Sequence, residues 1–367
     1  MLVPASPATG IEVDHAVNRR ETFVGGPFFD ELEPGATFDT APAVTLTSGL
    51  AASHQAILGD RLRLPLDAHL GESVIGSPAP LAHPGLVWDI AIGQSTLVTH
   101  HVKANLFYRG LRFHRFPVLG DTLSTRTEVV GLRENSAKPG RAPTGLAALR
   151  ITTVDQHDRV VLDFHRCAML PSSPSPSADR VRRADDLSTI GIAIDGTATG
   201  EPAGDPASSD PRAVEGWDLG AYRARVPGPH FSPGLVGTVF HSSADVVTSA
   251  PELARLTLNI AAVHHDERSG EAGRLVYGGH TIGLAFAQAT RALPALVTVL
   301  GWQSCDHTGP VRENDTLASE LHVESAEPCG DGHAVLLRSI VHARPRPDSE
   351  PDSPRPVLDW RFTGLLA

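Results

Sequence analysis

The chain has 367 residues, 41% of them hydrophobic and 20% charged, with a formal net charge of −11. This length and apolar share exclude a disordered chain and allow about two domains with full cores. The acidity argues against non-specific nucleic-acid binding, no apolar run approaches the roughly 20 residues of a membrane helix, and three scattered cysteines (Cys167, Cys305, Cys329) read as reduced thiols of a cytoplasmic protein.

In chain order, residues 1–23 form a tail without the apolar core of a signal peptide. Residues 24–170 form a first domain. Its Ala-rich segment 87–97 is apolar on most faces and predicts a buried helix. Strand-like words follow at 102–108, 122–132, 146–154 and 160–169. Residues 171–213, rich in Pro, Ser, Gly, Ala and Asp, have linker composition, with one short apolar turn at 190–194. Residues 214–367 form a second domain with a buried helix at 281–293 and strands at 297–301, 316–325, 334–342 and 357–363. A long apolar helix followed by antiparallel strands predicts an α+β fold, a helix wrapped by a sheet.

The two domains repeat one another. LAHPGLVWDIAIGQST (81–96) lies over LVYGGHTIGLAFAQAT (275–290) at an offset of 194. GDTLSTRTEVV (120–130) lies over NDTLASELHVE (314–324) at the same offset, and VVLDFHR (160–166) over PVLDWRF (356–362) at 196. Three matches in one order imply duplication of a whole domain.

The densest polar cluster, ELARLTLNIAAVHHDERSGEAGRLVYGGHTIG (252–283), follows a helix-like segment and runs into the second buried helix. Asn259 and His264 are five apart, and Tyr277-Gly278-Gly279 opens the helix. A helix start offers free N–H groups and a positive dipole end, which can hold a developing oxyanion. A nearby neutral histidine can move protons near pH 7. A histidine near a helix end is also a common structural hydrogen-bonder, so the repeat is informative here. Pro84 occupies the first-half position of Gly278 and has no N–H to give. The first-half site therefore reads as degenerate and the second-half site as live. His264, His265, His280 and His307 lack metal-ligand spacing, and no base other than Asp306-His307 adjoins Cys305, so neither a metal site nor a thiol nucleophile is expected.

These residues resemble MaoC-like acyl-CoA hydratases/dehydratases in their tandem, double-hotdog form. The likeness rests on Asn259 to His264 as the hydratase motif, Tyr277-Gly278-Gly279 as the step into the helix, and GDTL at 120–123 with NDTL at 314–317. It covers roughly 27–170 and 217–367. It is nearest to the mesaconyl-CoA hydratase (β-methylmalyl-CoA dehydratase) branch and also extends to double-hotdog proteins of mycobacteria. The resemblance implies a lyase acting on a 2-enoyl-CoA or 3-hydroxyacyl-CoA thioester, with a short branched or dicarboxylic acyl group among the candidates. It implies no cofactor beyond the CoA thioester itself, and no nucleic-acid or membrane partner. One chain then already forms a pseudo-dimer, and a homodimer of such chains stays open.

Residue by residue, the likeness makes His264 the acid–base and the Gly278 N–H the thioester-oxygen donor. Asn259 replaces the family's Asp, so it can position water but cannot act as a base. Asp60 faces Asn259 on the motif register and is a candidate second carboxylate, or else a loop residue. Gly279 and Tyr277 are assigned to substrate binding, and Arg274, Arg112 and Arg115 to the CoA phosphates. A hotdog thioesterase and a non-catalytic acyl-CoA binder are the alternatives.

Overall fold

The computed structural model describes residues 24–137, 139–174, 182–191, 211–269, 273–344 and 353–367. The predicted tail 1–23 and most of the predicted linker lie outside the described residues.

The first half runs β1 (Thr37–Phe38), β2 (Val44–Thr45), α1 (Ser48–Leu58), α2 (Arg63–Leu66), α3 (Ala68–Ile75), α4 (Pro84–Gln94), β3 (Ala104–Phe113), β4 (Thr122–Glu134), β5 (Thr144–Val154) and β6 (Val160–Pro171). The second half runs α5 (Leu219–Arg225), β7 (Val239–His241), β8 (Asp245–Val246), α6 (Ala250–Leu256), α7 (Gly278–Ala292), β9 (Leu296–His307), β10 (Thr316–Cys329), β11 (Gly332–Arg344) and β12 (Arg355–Leu366). Both predicted buried helices and all eight predicted strands are present. No helix among the described residues is long and apolar enough to cross a membrane.

All strands join one antiparallel sheet in the order β1-β4-β5-β6-β3-β9-β12-β11-β10-β7, with β2 and β8 pairing off that path on β4 and β10. The order is a palindrome of the two halves, joined where β3 meets β9. Buried and less buried positions alternate along β4 and β10, so one face of the sheet is packed. The packed face meets α4 and α7. Every residue of α4 is buried, which explains a sequence apolar all round. Pro84 fits its first turn, where an N–H would lack an acceptor. α7 ends at Ala292, with Leu293 as its cap just ahead of Pro294.

The duplication is visible in side-chain bonds. Gln94 on α4 donates to the Leu123 carbonyl at 3.2 Å, and its counterpart Gln288 on α7 donates to the Leu317 carbonyl at 2.9 Å. The Ile260 N–H bonds Thr96 Oγ1 at 3.0 Å, and the Arg61 N–H bonds Thr290 Oγ1 at 2.9 Å. Each half therefore lays its pre-helix loop against the other half's helix. Gly93 permits this approach, because a Cβ there would overlap the Thr257 carbonyl oxygen. Trp88 of α4 fastens the halves, stacking edge-on against Trp302 at 5.0 Å and Phe286 at 5.9 Å.

The linker expectation needs one correction. Residues 182–191 pack on the first half: Ala184 bridges Arg133, Asp185 accepts the Leu132 N–H at 2.8 Å, and Leu187 is buried. The apolar Leu187 and Ile190 make this stretch part of a small core with Leu146 and Ala148.

Candidate active site

The loop after α6 is built to hold two side chains. The Asn259 N–H reaches back to the Ala254 carbonyl at 2.9 Å, and Asn259 Oδ1 accepts the Ala261 N–H at 3.0 Å. The Ala262 N–H bonds the His100 carbonyl at 3.0 Å, pinning the loop to the first half. His264 follows on a single helical turn, and its Nδ1 lies 3.0 Å from the Leu275 carbonyl oxygen. A carbonyl only accepts, so Nδ1 carries the hydrogen and Nε2 keeps a lone pair. Burial pushes the imidazole down to about 4, and the Leu275 bond opposes that only in part. The ring is neutral at pH 7 and able to take a proton.

Tyr277 closes over His264, edge to face at 5.7 Å between centroids. Its hydroxyl donates to Asp89 Oδ1 of α4 at 3.1 Å, and Asp89 Oδ2 is 3.0 Å from His54 Nε2. Burial holds the Tyr277 phenol well above its ordinary range, so it acts as a donor and not as an acid. Gly278 opens α7 at the first helical position, and no hydrogen bond among the described residues engages its N–H. His307, at the end of β9, packs on it, and a Cβ on Gly278 would stand 2.8 Å from His307 Nε2. That Nε2 is buried without a partner, and burial holds the ring down to about 4.

These groups line a cleft of about 1700 Å³ drawn from both halves. Asn259, His264, Tyr277 and Gly278 come from the second half, and Asn105, Tyr108 and Arg166 from the first. Arg133, Arg141, Arg182, Arg183, Arg268 and Arg312 also line it, making a basic cleft in an acidic protein.

The structure thus brings His264, Asn259, Gly278 and Tyr277 together and corrects five other assignments. Asp60 does stand in the register of Asn259, since its Oδ1 accepts the Leu62 N–H at 2.9 Å as Asn259 Oδ1 accepts that of Ala261. That register places it in the pseudo-symmetric first-half site, away from the cleft, with His83 Nε2 3.0 Å from its carboxylate. Desolvation would raise the Asp60 carboxyl; His83 and the Leu62 N–H more than offset this, and it lies below its ordinary range. Gly279 is not a cleft residue but a packing one, because a Cβ there would overlap Asp89 Oδ1. Arg274 is spent on Glu313 and Glu267, and Arg115 on Asp155. Arg112 stands on β3 opposite Asp163 and Gly301, outside the cleft.

His307 and Arg166 are among the cleft residues that the sequence does not assign to the site. In sequence, His307 offers only a poorly spaced metal ligand or a neighbour of Cys305. Cys305 itself is buried, and desolvation holds its thiol well above the ordinary range. Arg166 carried a signal in the repeat. It pairs with Tyr108 as Phe362 pairs with Trp302, so a charge stands where the sister copy has an aromatic core residue.

No family model matches the chain. It is 29% identical to the β-methylmalyl-CoA dehydratase of Chloroflexus aurantiacus over 360 residues, 93% of this chain and 97% of that protein. It is 26% identical to the mesaconyl-CoA hydratase of Cereibacter sphaeroides, over 86% of this chain and 89% of that protein. Among solved structures, a conserved hypothetical protein of Mycobacterium tuberculosis described as having a double hotdog fold is 62% identical, covering 94% of this chain and 100% of that one with a TM-score of 0.85. A putative MaoC domain dehydratase of Chloroflexus aurantiacus is 26% identical over 93% and 97% of the two chains, with a TM-score of 0.73.

Proposed function

Since the chain belongs to the MaoC-like double-hotdog family, we propose that it adds water reversibly across the double bond of a 2-enoyl-CoA, giving a 3-hydroxyacyl-CoA. The observation that carries this reading is the pairing, in one cleft, of a neutral imidazole with a free Nε2 lone pair and an unengaged helix-start N–H. His264 Nε2 takes one proton from water, and the hydroxide oxygen bonds to C3. The electron pair of the double bond moves toward the thioester, whose oxygen becomes enolate-like and is held by the Gly278 N–H. C2 then takes the proton back from His264. Asn259 spends its carbonyl on the Ala261 N–H, which leaves its amide NH₂ to hold the water. The arginines of the cleft meet the phosphates of CoA. The three free, buried cysteines support a reducing, cytoplasmic setting.

The test is incubation with crotonyl-CoA and mesaconyl-CoA, following enoyl absorbance and free thiol together. Loss of absorbance without thiol release is expected. Thiol release would make the protein a thioesterase, and binding with neither change would make it a non-catalytic binder. His264→Ala should lower turnover by about 100-fold or more with the fold intact. A normal rate in that variant would remove His264 from the chemistry.

A further inference from the structure

His307, the last residue of β9, carries a polar atom for which the fold has no use. Its Nε2 is buried with no hydrogen-bond partner among the described residues. Buried polar atoms are otherwise almost always paired. The ring is fixed from two sides. Tyr108 stands edge-on at 5.8 Å between centroids, and Gly278 lies against the imidazole, where a Cβ would stand 2.8 Å from Nε2. His307, Gly278 and His264 line the same cleft.

Bond geometry puts that Cβ position about 2.5 Å from the Gly278 nitrogen, so the two nitrogens stand no more than about 5.3 Å apart. One oxygen can therefore lie about 3 Å from both, the distance at which a donor holds an oxyanion. Burial holds the imidazole down to about 4, so it is neutral at pH 7 and has one N–H to present. A neutral imidazole can polarise a carbonyl by donating a hydrogen bond while keeping its proton.

The duplication separates packing from chemistry. His307 pairs with Leu358 as Phe113 pairs with Leu162, so Phe113 is the sister residue. Phe113 is fully buried and packs on Trp88 of α4 at 6.5 Å between centroids. The fold thus accepts a plain aromatic ring at this place and does not need the imidazole nitrogens. Phe113 accompanies Pro84, which has no N–H, whereas His307 accompanies Gly278, whose N–H is unengaged among the described residues. Each copy has both donors or neither.

Resting on the hydratase reading, we propose that the Nε2–H of His307 is a second donor to the thioester oxygen, beside the Gly278 N–H. The oxygen gains charge as the electron pair of the double bond moves toward the thioester, and both hydrogen bonds strengthen on it. No proton leaves His307. The hydrogen stays on Nε2 throughout, and His264 alone exchanges protons with water and C2. His307 is then a catalytic residue, and Gly278 serves twice, as a donor and by lacking the Cβ that would push the ring away.

The test uses His307→Phe, which copies the sister residue, and takes two readings. With crotonyl-CoA, kcat should fall about 100-fold while KM stays within about threefold, because the missing bond counts most in the transition state. Butyryl-CoA, isotope-labelled at the carbonyl carbon, has no double bond to hydrate, and difference infrared spectroscopy reads its bound thioester directly. The carbonyl stretch should lie lower in the wild type than in His307→Phe, since each hydrogen bond weakens the C=O bond. His307→Gln keeps an N–H but cannot carry a proton, and should recover about tenfold in kcat over His307→Phe. A kcat for His307→Phe within about threefold of the wild type, or an unmoved carbonyl stretch, would overturn the proposal. Equal losses in His307→Gln and His307→Phe would overturn it as well, making the residue a proton carrier. If His307→Phe does not fold, the smaller His307→Leu takes the same readings. A carbonyl stretch that depends on His307, without any hydration, would defeat the hydratase reading alone. Hydration at an unchanged rate in the variants would defeat the donor role alone.

Discussion

The protonation state of His264 makes a sharp prediction about acid. Burial holds this imidazole down to about 4, where an exposed histidine titrates near 6.5. At pH 5 about nine-tenths of His264 is then still neutral, against about 3% for an exposed ring. The kcat/KM for hydration should therefore fall by only about 10% between pH 7 and pH 5, not by about 25-fold. Crotonyl-pantetheine is the substrate for this assay, because it carries neither phosphate nor carboxylate to titrate in that range. The same burial acts on stability with a definite sign. His264, His280 and His307 are all held down to about 4, so as pH drops below 6.5 the unfolded chain gains protons that the folded chain refuses. Stability is full above pH 6.5 and drains toward pH 4, by about 3 kcal/mol for each ring. Circular dichroism at each pH keeps unfolding apart from titration. A kcat/KM profile with its midpoint near 6.5, in protein still folded by that criterion, would refute the buried-base argument.

Gly278→Pro copies Pro84 of the first half, removes the N–H, and should cost about 100-fold or more in kcat; a fully active variant would end the donor role. Gly93→Ala would drive a Cβ into the Thr257 carbonyl oxygen, so it should cost about 3 kcal/mol in denaturant unfolding and misplace the Asn259–His264 loop; unchanged stability would mean that the loop yields freely. Arg141→Glu with Arg183→Glu should raise KM for the CoA thioester and leave kcat alone, with the gap shrinking as salt rises; a change in kcat alone would place these arginines elsewhere in the cycle.

Much of this architecture was legible because one pattern was written twice. Segments apolar on every side could only be buried helices, and α4 and α7 fall on them with small shifts at their ends. The offset of 194 returned in the paired bonds of Gln94 and Gln288. Partners distant in sequence were not legible. The Tyr277 hydroxyl finds Asp89 in the other half, and nothing in VWDIAIG says that its carboxylate will reach a tyrosine and His54 together. Asp60 was assigned by counting from a motif, and the count was sound. What counting could not supply is that equivalent residues in a pseudo-symmetric pair serve two different sites. The arginines Arg274 and Arg115 failed for a plainer reason, since an acidic surface offers carboxylates to most guanidinium groups.

The two sites show how a duplicated fold can divide its work. In the first half, His83 Nδ1 accepts the Gly85 N–H at 3.0 Å, and Pro84 has no N–H, so the start of α4 is closed by its own chain. In the second half, Tyr277 occupies the place of His83, and its polar end is turned to Asp89 at 3.1 Å. The start of α7 is left open as a result. The buried Asp89 carboxylate of the first half thereby holds the tyrosine hydroxyl away from the start of α7. The same first half places Arg166 and Asn105 in that cleft, where the second half has Phe362 and Val299. The first copy thus lacks an N–H donor at Pro84 and carries a buried charge at Arg166, and on the proposed reading the proton transfer falls to the second half.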